Sequence, residues 1–406
     1  MSPTHAVVLT PVGRGAVAVI SVSGSLAIEA IDSHFIAANG KPLAAQPTEV
    51  IRFGHWGSKR GEEVVVCRRR SNFQSQIPNP KSQIIEIHCH GGHAAAAAIM
   101  ADLVTGGCTP LGWQEWLQCS ERDPITAEAQ IALADAPTER TAAILLDQYH
   151  GALSQAIQNV LGLLGQGNAV QASRVIENLV ARAELGRHLT EPWRVVLAGP
   201  PNIGKSSLIN ALLGFARSLV FDQPGTTRDV VTARTAINGW PVELADTAGL
   251  RASDDALESA GVELATAALS QADLVILVSD AARPGEGAIQ NLPTAMRLLR
   301  VRNKIDLVPK IQNPKSQIPN PKSTTPNLRP EPHVIDSSAL TGIGIDTLLD
   351  AITQSLVPHP PEPETAVPFT PRQRAALEHV QTALAANDAA RARGHLQALL
   401  AGPVLR

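Results

Sequence analysis

Residues 199–206 carry the clearest chemical pattern in the chain, because they read GPPNIGKS. The pattern G-x-x-x-x-G-K-[ST] is typical of a phosphate-binding loop. In such a loop backbone N–H groups surround phosphate oxygens, a lysine reaches the β- and γ-phosphates, and a hydroxyl binds Mg²⁺. Here the lysine is Lys205 and the hydroxyl is that of Ser206. A glycine-rich turn that arose by chance is the alternative interpretation.

The residues on either side of this loop favour the phosphate-binding interpretation. The apolar run at 195–198 predicts a buried parallel strand. Residues 207–213 predict a helix whose N-terminus faces the phosphates. Strand, loop and helix therefore follow one another in the order that the motif requires.

Three further patterns follow in the order that a guanine-nucleotide domain needs. The stretch DTAG at 246–249 ends an alternating strand pattern, so Asp246 lies at a strand's carboxyl end, where it can support Mg²⁺. The glycine, Gly249, can sense the γ-phosphate. The stretch NKID at 303–306 follows a predicted strand at 298–301, and the carboxylate of Asp306 can accept from both N1–H and the 2-amino group of guanine. Adenine offers no such pair of donors.

The third pattern is the stretch SAL at 338–340, which follows a predicted strand at 333–336 and whose backbone can close over the base. Each pattern alone is common. The ordered set predicts that the chain binds GTP.

Length and composition suggest an ordinary multi-domain protein. The chain has 406 residues, which predicts two or three domains, and its net charge of −3 gives no general attraction to nucleic acid. Its four cysteines, Cys67, Cys89, Cys108 and Cys119, form no C-x-x-C pair. With no secretory signal and no bilayer-spanning apolar run, we expect a cytoplasmic location and no membrane partner.

The N-terminal residues predict strands at 7–9 and 16–22, joined by a turn that contains Arg14. That arginine either meets a phosphate or carboxylate or is simply exposed. A third strand is predicted at 84–90, followed by a helix from His93. This stretch contains three histidines that suggest a metal site, namely His88, His90 and His93. We favour a plain strand-to-helix junction, because no matching second cluster of ligands exists elsewhere in the sequence.

Two helical regions flank the nucleotide-binding residues. Apolar residues recur at spacings of three and four from 138 to 189, with a break at 165–168, which predicts a helical hairpin. After a proline-rich joint at 358–363, the stretch TPRQ at 370–373 predicts a helix start with a capping box. A single last helix is predicted over 375–400. We therefore expect the nucleotide domain to be an insertion in a helical domain.

The string SQIPNPKS occurs twice, at 75–82 and at 316–323. A literal repeat in two unrelated contexts is more typical of inserted coding sequence than of a binding motif. Its composition predicts exposed, poorly ordered loops.

Seven stretches in this order resemble one family: TPVGRGAVAVISVSG, IEIHCHGG, GPPNIGKSS, DQPGTTRD, DTAGLRASDDALESAGVE, NKID and PRQRAALEHV. The chain is similar to the MnmE (TrmE) tRNA-modification GTPases. The resemblance implies a multi-domain α/β and α fold. A Ras-like P-loop G domain with a mostly parallel sheet, at 191–355, is inserted in a helical domain at 119–190 and 356–406. A small folate-type, dimerising α/β domain at 1–118 comes first.

The resemblance implies nucleotide contacts from five loops: Asn202, Ile203, Gly204, Lys205, Ser206, Ser207, Phe221, Asp222, Gln223, Pro224, Gly225, Thr226, Thr227, Asp246, Thr247, Ala248, Gly249, Asn303, Lys304, Asp306, Ser338, Ala339 and Leu340. Ser206 and Thr227 would ligate Mg²⁺, with support from Asp246. Lys205, Gly249 and Glu258 would be the catalytic residues. Arg228 and Asp229 belong to the mobile switch, with no role assigned.

The resemblance also implies a potassium ion beside the phosphates. Asn202 matches the family's potassium-ligating asparagine, and the backbone around Phe221 and Gln223, with Thr226, would complete the site. Such an ion would neutralise transition-state charge where other GTPases insert an arginine. Glu258 matches the glutamate that positions the attacking water, although without the resemblance a solvated helix charge explains it equally well.

Folate contacts match less well. The family has an arginine where this chain has Ser21 and a lysine where it has Glu121, whereas Glu86 matches. The chain ends at residues 402–406, GPVLR, instead of the family's phenylalanine–cysteine–isoleucine–glycine–lysine tail. We therefore expect weak or absent binding of 5-formyl- or methylene-tetrahydrofolate.

For function, the resemblance implies potassium-stimulated GTP hydrolysis in a homodimer. Together with a FAD-dependent MnmG (GidA) partner, the chain would couple this hydrolysis to (carboxymethyl)aminomethyl modification of the tRNA wobble uridine. No DNA partner is expected. One alternative is a switch in ribosome or RNA assembly like Era and Der, but no KH domain with a GXXG loop follows residue 356. Another is a family member that has lost the modification activity.

Overall fold

The computed structural model describes residues 3–11, 13, 15–69, 83–121, 123–216, 232–246, 269–283, 297–308 and 334–402. Several expectations lie outside these residues: Arg14, both copies of the repeat, the loop residues 221–229, the DTAG stretch after Asp246, Glu258 and residues 403–406. The chain forms two compact units, residues 1–131 with 397–406, and residues 132–396.

The first unit contains a seven-stranded sheet in the order β3-β4-β5-β6-β2-β1-β7. Its strands and helices are β1 His5–Val8, β2 Val17–Gly24, α1 Ala27–Asp32, β3 Phe35–Ala37, β4 Ile51–Trp56, β5 Glu62–Arg69, β6 Gln83–His90, α2 His93–Thr105, β7 Thr109–Pro110, α3 Trp113–Ser120 and α4 Pro124–Ala134, which continues into the second unit. A 3₁₀ turn, Leu43–Ala45, precedes β4. The three predicted N-terminal strands and the helix from His93 are confirmed.

Alternation along β2 and β6 decides which face of this sheet carries the core. Ile20, Ile85 and Ile87 are fully buried and pack in one cluster with Ile99 and Leu103 of α2. This follows from the period of two along a strand, which sends alternate side chains to opposite faces. Ser21 and Glu86 therefore lie on the opposite face, as partners in the antiparallel register of β2 and β6.

The second unit contains a six-stranded sheet in the order β13-β12-β11-β8-β10-β9. Its strands and helices are α5 Glu139–Tyr149, α6 Ala152–Gly165, α7 Ala169–Arg187, β8 Trp193–Ala198, α8 Lys205–Phe215, β9 Thr232–Ile237, β10 Trp240–Asp246, β11 Leu274–Asp280, β12 Leu298–Asn303, β13 Val334–Asp336, α9 Ile345–Leu356, α10 Pro371–Ala385 and α11 Ala389–Ala401, which continues into the first unit. A 3₁₀ turn, Ile305–Leu307, follows β12. The predicted strand, loop and helix around residues 199–206 are confirmed.

All strand pairs of this sheet are parallel except β9–β10. In the register of the sheet, Leu197 pairs with Asp246, and Asp280 pairs with Asn303. The carboxyl ends of β8, β10, β11 and β12 therefore lie at one edge. Ligands of open α/β sheets bind at such an edge, so the fold brings the predicted loops together.

The helical regions contain two more breaks than expected. The single hairpin predicted for 138–189 is wrong, because Gly151 adopts a left-handed φ of +99° and separates α5 from α6. The predicted break at 165–168 is present. The single last helix is also wrong, because the chain breaks at Asn387, whose φ is +57°, between α10 and α11. The capping box is confirmed: Thr370 Oγ1 accepts from the backbone N–H of Gln373 at 3.2 Å.

The helices before and after the nucleotide-binding sheet pack on each other, α7 against α10. The buried amide of Gln148 in α5 strengthens this arrangement, because it donates to the carbonyl of Thr365 at 3.0 Å and accepts from the N–H of Val367 at 3.1 Å. This packing is what an inserted domain requires. The boundaries given above for the three domains remain a prediction.

The chain enters and leaves the sheet around the buried Trp193, the first residue of β8. The ring of His188 stacks on Trp193 with centroids 3.5 Å apart. On β12's side, the guanidinium of Arg297 lies 5.8 Å from the Trp193 ring, donates to the carbonyl of Leu356 at 3.3 Å and reaches Glu184 at 3.5 Å. One arginine thus contacts α7, β8 and the end of α9.

Asp273 contacts residues on both sides of Trp193, at the junction where the chain enters the sheet. It accepts from the Arg187 guanidinium at 3.0 Å and from the N–H of Arg194 at 2.7 Å, and it lies 3.5 Å from His188 Nε2. Burial alone would raise the pKa of Asp273, but the His188 and Arg194 hydrogen bonds and the nearby positive charges outweigh it, and the pKa lies below its usual value.

None of the described helices is long and apolar enough to cross a bilayer.

Candidate guanine-nucleotide site

Two glycines of the phosphate-binding loop hold positions where a side chain would not fit. Gly199 has a φ of +149°, and a Cβ there would lie 2.5 Å from the carbonyl oxygen of Val278. Gly204 has a φ of +89°, and a Cβ there would lie 2.7 Å from Nδ2 of Asn303. Asn202 adopts the left-handed region without being a glycine, with a φ of +62°. This conformation costs about 1 kcal/mol or more for a residue with a Cβ, so the surrounding structure must hold it.

Lys205 and Ser206 stand in the first turn of α8, where the helix N-terminus favours anions. Lys205 is buried, and its Nζ donates to the carbonyls of Gly199 and Pro200 at 3.0 and 2.9 Å. The cation is therefore held over the loop that would surround the phosphates. Ile203 is buried, whereas Ser207 is exposed on α8.

Ser206 and Asp246 form the pair that suits a magnesium ion. Ser206 Oγ donates to Oδ2 of Asp246 at 2.6 Å, and Asp246 is only 3% exposed at the end of β10. A hydroxyl and a carboxylate are the oxygen donors that Mg²⁺ prefers. The residues present therefore fit the ion that a GTPase domain uses. Thr227, the second expected ligand, lies outside the described residues.

Asn303 links the phosphate-binding loop to the loop after β13. It is 1% exposed, donates from Nδ2 to the carbonyl of Ile203 at 3.2 Å, and accepts on Oδ1 from the N–H of Ala339 at 3.1 Å. Loss of either hydrogen bond would leave a buried polar group without a partner. One side chain thus fixes the distance between the phosphate end and the base end of the site.

The base end is formed by Asp306 and the SAL stretch. Ser338 Oγ donates to Oδ1 of Asp306 and also accepts from the N–H of Thr341 at 3.1 Å. The carboxylate is thereby oriented before any base is bound. Leu340 is 85% exposed at the rim.

Lys304 connects the base end to the phosphate-binding loop by a second route. Its Nζ donates to the carbonyl of Asn202 and to Oδ2 of Asp280, each at 2.9 Å. The Lys304 hydrogen bond is the main cause that holds the pKa of Asp280 below its usual value. Asp280 is not among the site residues predicted from the sequence. The signal was a carboxylate at the end of the strand that pairs with β12.

The three residues predicted for folate lie in the first unit. Ser21 is 1% exposed, and among the described residues its Oγ has no hydrogen-bond partner. Glu86, its cross-strand neighbour, accepts from Arg69 Nε at 2.9 Å. Glu121 follows the last residue of α3. The fold thus brings Ser21 and Glu86 together, and the role of all three stays a prediction.

No group of three or more metal-ligating side chains occurs in the part of the chain that the structure describes. Instead, His90 Nδ1 lies 2.6 Å from Glu62, and His88 lies 3.5 Å from Glu86.

Two family models match this chain. Residues 4–111 match the family model "GTP-binding protein TrmE N-terminus", and residues 194–308 match "50S ribosome-binding GTPase". The chain is 30% identical over 386 residues to the tRNA modification GTPase MnmE of Bacillus subtilis, which covers 87% of this chain and 82% of that protein. This chain belongs to the MnmE family. It is a GTPase with a Ras-like P-loop domain.

Other MnmE proteins give the same result. The MnmE of Geobacillus thermodenitrificans is 31% identical over 76% of this chain and 74% of that protein, and that of Lactococcus lactis strain SK11 is 34% identical over 68% and 67%. Among solved structures, Era of Aquifex aeolicus is 30% identical over 47% of this chain and 66% of that chain, with a TM-score of 0.28.

Proposed function

We propose that this MnmE family member hydrolyses GTP to drive the modification of tRNA in the cytoplasm. One observation above all supports GTP binding: Asn303 joins the phosphate-binding loop to the loop that orients Asp306. The role in tRNA rests on family membership, because the named relatives are tRNA modification GTPases that match 68–87% of the chain. The product would be a wobble uridine with a (carboxymethyl)aminomethyl group at C5.

The described residues account for how GTP would be held. The α8 N-terminus and the Lys205 ammonium would face the β- and γ-phosphates, and Asp306 would accept from the guanine edge. Bound Mg²⁺, held by Ser206 with support from Asp246, would neutralise charge on the β- and γ-oxygens. Because the loop, Lys205 and Asn303 are already positioned by hydrogen bonds, little reorganisation is needed on binding.

The identity of Asn202 supports a potassium site beside the phosphates. Its carbonyl is fixed by Lys304 in a left-handed backbone, which sets the direction of an exposed amide side chain at the loop. The other proposed ligands, Phe221, Gln223 and Thr226, and the proposed catalytic residues Gly249 and Glu258, lie outside the described residues. Potassium would stabilise transition-state charge.

Hydrolysis rates in KCl and NaCl test the potassium site. We expect faster hydrolysis in KCl, and we expect Asn202→Ala to remove the difference. Asn387→Ala is the matched control, because Asn387 is an exposed asparagine with a similar φ, +57°, in the break between α10 and α11. Equal rates in both salts for the unmodified chain would contradict the assignment.

Two partners complete the proposal: a second copy of the chain and a FAD-dependent MnmG-type protein. A potassium-activated GTPase that works as a homodimer should hydrolyse more GTP per molecule as protein concentration rises. Light scattering with GTP and KCl measures the same association directly. A monomer at every concentration would contradict the dimer.

Ribosome or RNA assembly is the second candidate function. It is favoured by one observation, the match of residues 194–308 to a model described as a 50S ribosome-binding GTPase. Under this proposal the chain would keep GTP hydrolysis but would not modify tRNA.

Complementation decides between the two functions. The chain, and Ser206→Ala as a variant lacking the magnesium hydroxyl, would be expressed in a bacterium without its own MnmE. Digested tRNA would be analysed by mass spectrometry. Return of the modified wobble uridine with the unmodified chain but not with Ser206→Ala is the expected result. If GTP is hydrolysed and the uridine stays unmodified, the first proposal is wrong and ribosome profiles become the next measurement.

A further inference from the structure

Asp280 stands at the carboxyl end of β11, between the two halves of the nucleotide site. Its Oδ2 accepts from Lys304 Nζ at 2.9 Å, and Oδ1 accepts from the N–H of Ala282 at 2.9 Å. The Asp280 side chain is 12% exposed, and that of Lys304 is 30% exposed. The carboxylate is therefore largely withdrawn from water and paired.

Lys304 and Asn202, which are joined by a hydrogen bond, both have a left-handed backbone. Lys304 has a φ of +64°, and Asn202, whose carbonyl accepts from Lys304 Nζ, has a φ of +62°. Left-handed backbone costs free energy in residues other than glycine, although least in asparagine and aspartate, and contacts with the surrounding structure help to hold it. The ammonium of Lys304 is one such contact for the carbonyl of Asn202. Its position thus bears directly on the shape of the phosphate-binding loop.

A single neutral acceptor is a weak hold on a long, flexible ammonium side chain. The carbonyl of Asn202 supplies one acceptor, whereas the carboxylate of Asp280 supplies a full opposite charge. Hydrogen bonds to charged groups are about twice as strong as neutral ones. The carboxylate therefore sets which rotamer Lys304 occupies.

We propose that Asp280 is a positioning residue for guanine-nucleotide binding, which acts by holding Lys304 against the carbonyl of Asn202. It keeps the phosphate-binding loop in its left-handed conformation at residue 202, and it touches no substrate itself. This role of Asp280 in the GTPase site requires neither a bound potassium ion nor tRNA.

The two oxygens of Asp280 allow the positioning role to be separated from a structural one. Asp280→Asn keeps an oxygen that can accept from the N–H of Ala282, so the turn after β11 stays capped. It removes the negative charge beside Lys304. A matched control is Asp336→Asn, which removes the carboxylate of an ion pair with Arg302 at the end of the edge strand β13.

The measurement is the dissociation rate of a fluorescent GDP analogue, with excess unlabelled GDP and Mg²⁺. We expect Asp280→Asn to release the analogue about 5- to 30-fold faster, a factor that corresponds to about 1–2 kcal/mol. Asp336→Asn should leave the rate unchanged. Thermal unfolding midpoints of both variants verify that each is folded.

A double-mutant cycle tests whether Asp280 acts through Lys304. In a Lys304→Met background, adding Asp280→Asn should change the dissociation rate by less than about 2-fold. The same acceleration with and without Lys304 would overturn the proposal, as would an unchanged rate in Asp280→Asn itself. If Asp280→Asn does not fold, the same dissociation rates are measured with Asp280→Ser. Its hydroxyl oxygen can still accept from the N–H of Ala282, but the serine side chain is too short to reach Lys304.

Discussion

The hydroxyl of Thr138 donates to the carbonyl of Gly239 at 2.8 Å, which joins the start of α5 to the turn between β9 and β10. Thr138 is also the N-cap of α5, since its Oγ1 accepts from the N–H of Thr141. Beside it, the guanidinium of Arg140 lies 5.3 Å from the ring of Trp240. Gly239, with a φ of +82°, allows this approach, because a Cβ there would lie 3.0 Å from Arg140 Nε.

Thr138→Ala should therefore loosen both the helix start and the turn. Loss of the cap and of the hydrogen bond to Gly239 should cost about 1–2 kcal/mol of local stability. Hydrogen exchange of the first turn of α5 and of residues 238–240 measures this directly. Thr138→Ser, which keeps the hydroxyl, is the control. If exchange at residues 238–240 is the same in Thr138→Ala and in the unmodified chain, this hydrogen bond contributes nothing.

Base preference should follow the carboxylate of Asp306. Guanine presents two donors, N1–H and the 2-amino group, and a carboxylate offers an acceptor to each. An amide at position 306 replaces one of these acceptors with a donor, so Asp306→Asn should weaken GTP binding by about 100-fold or more. Xanthosine triphosphate, which has a carbonyl in place of the 2-amino group, should bind the variant better than GTP does. Competition between the two nucleotides measures the ratio. A variant that still prefers GTP would contradict the placement of the base at Asp306.

The junction around Trp193 should respond to acid through Asp273. Its pKa is lower in the folded chain than in the unfolded one. The stability that Asp273 contributes is therefore fully present above the unfolded pKa and is lost as pH falls through the folded pKa. Asp273→Asn should lower the thermal midpoint at pH 7, and the gap to the unmodified chain should stay constant down to about pH 5 and narrow below about pH 4. A gap that does not change with pH would show that charge is irrelevant here.

Folate should bind weakly or not at all. Where the resemblance implies an arginine and a lysine, this chain offers the buried hydroxyl of Ser21 and the carboxylate of Glu121. Each charged hydrogen bond lost from a carboxylate ligand costs about 1.5–3 kcal/mol. Calorimetric titration with 5-formyltetrahydrofolate should show no binding at micromolar concentration. A micromolar or tighter constant would mean that other cations of the first unit replace the two that differ.

The residues that we propose to contact phosphate or guanine were predictable, because ligand chemistry fixes their residue types and spacing. The loop at 199–206 needs glycines for close approach, and Asp246 and Asp306 need carboxylates. The alternating patterns also predicted the strands that carry them. The order of the motifs along the chain then implied that they share one sheet edge.

Contacts that depend on sheet register were not predictable. Asp280 meets Lys304 only because β11 and β12 pair with Asp280 opposite Asn303, and no local pattern in the sequence encodes that pairing. The two helix breaks were missed for a different reason. The apolar spacing of three and four continues across Gly151, so periodicity alone does not show that one left-handed residue turns the chain.

Arg297 has a consequence for how such a chain could arise. Its guanidinium contacts the end of α7, the first residue of β8 and the last residue of α9. The segment that leads into the sheet and the segment that leads out of it are therefore adjacent. A segment whose ends are adjacent can be spliced into, or out of, a loop of its host without stretching either part. If the GTPase segment is an insertion, it would be a cassette in this sense, and α7 and α10 could be joined by a short linker in its place.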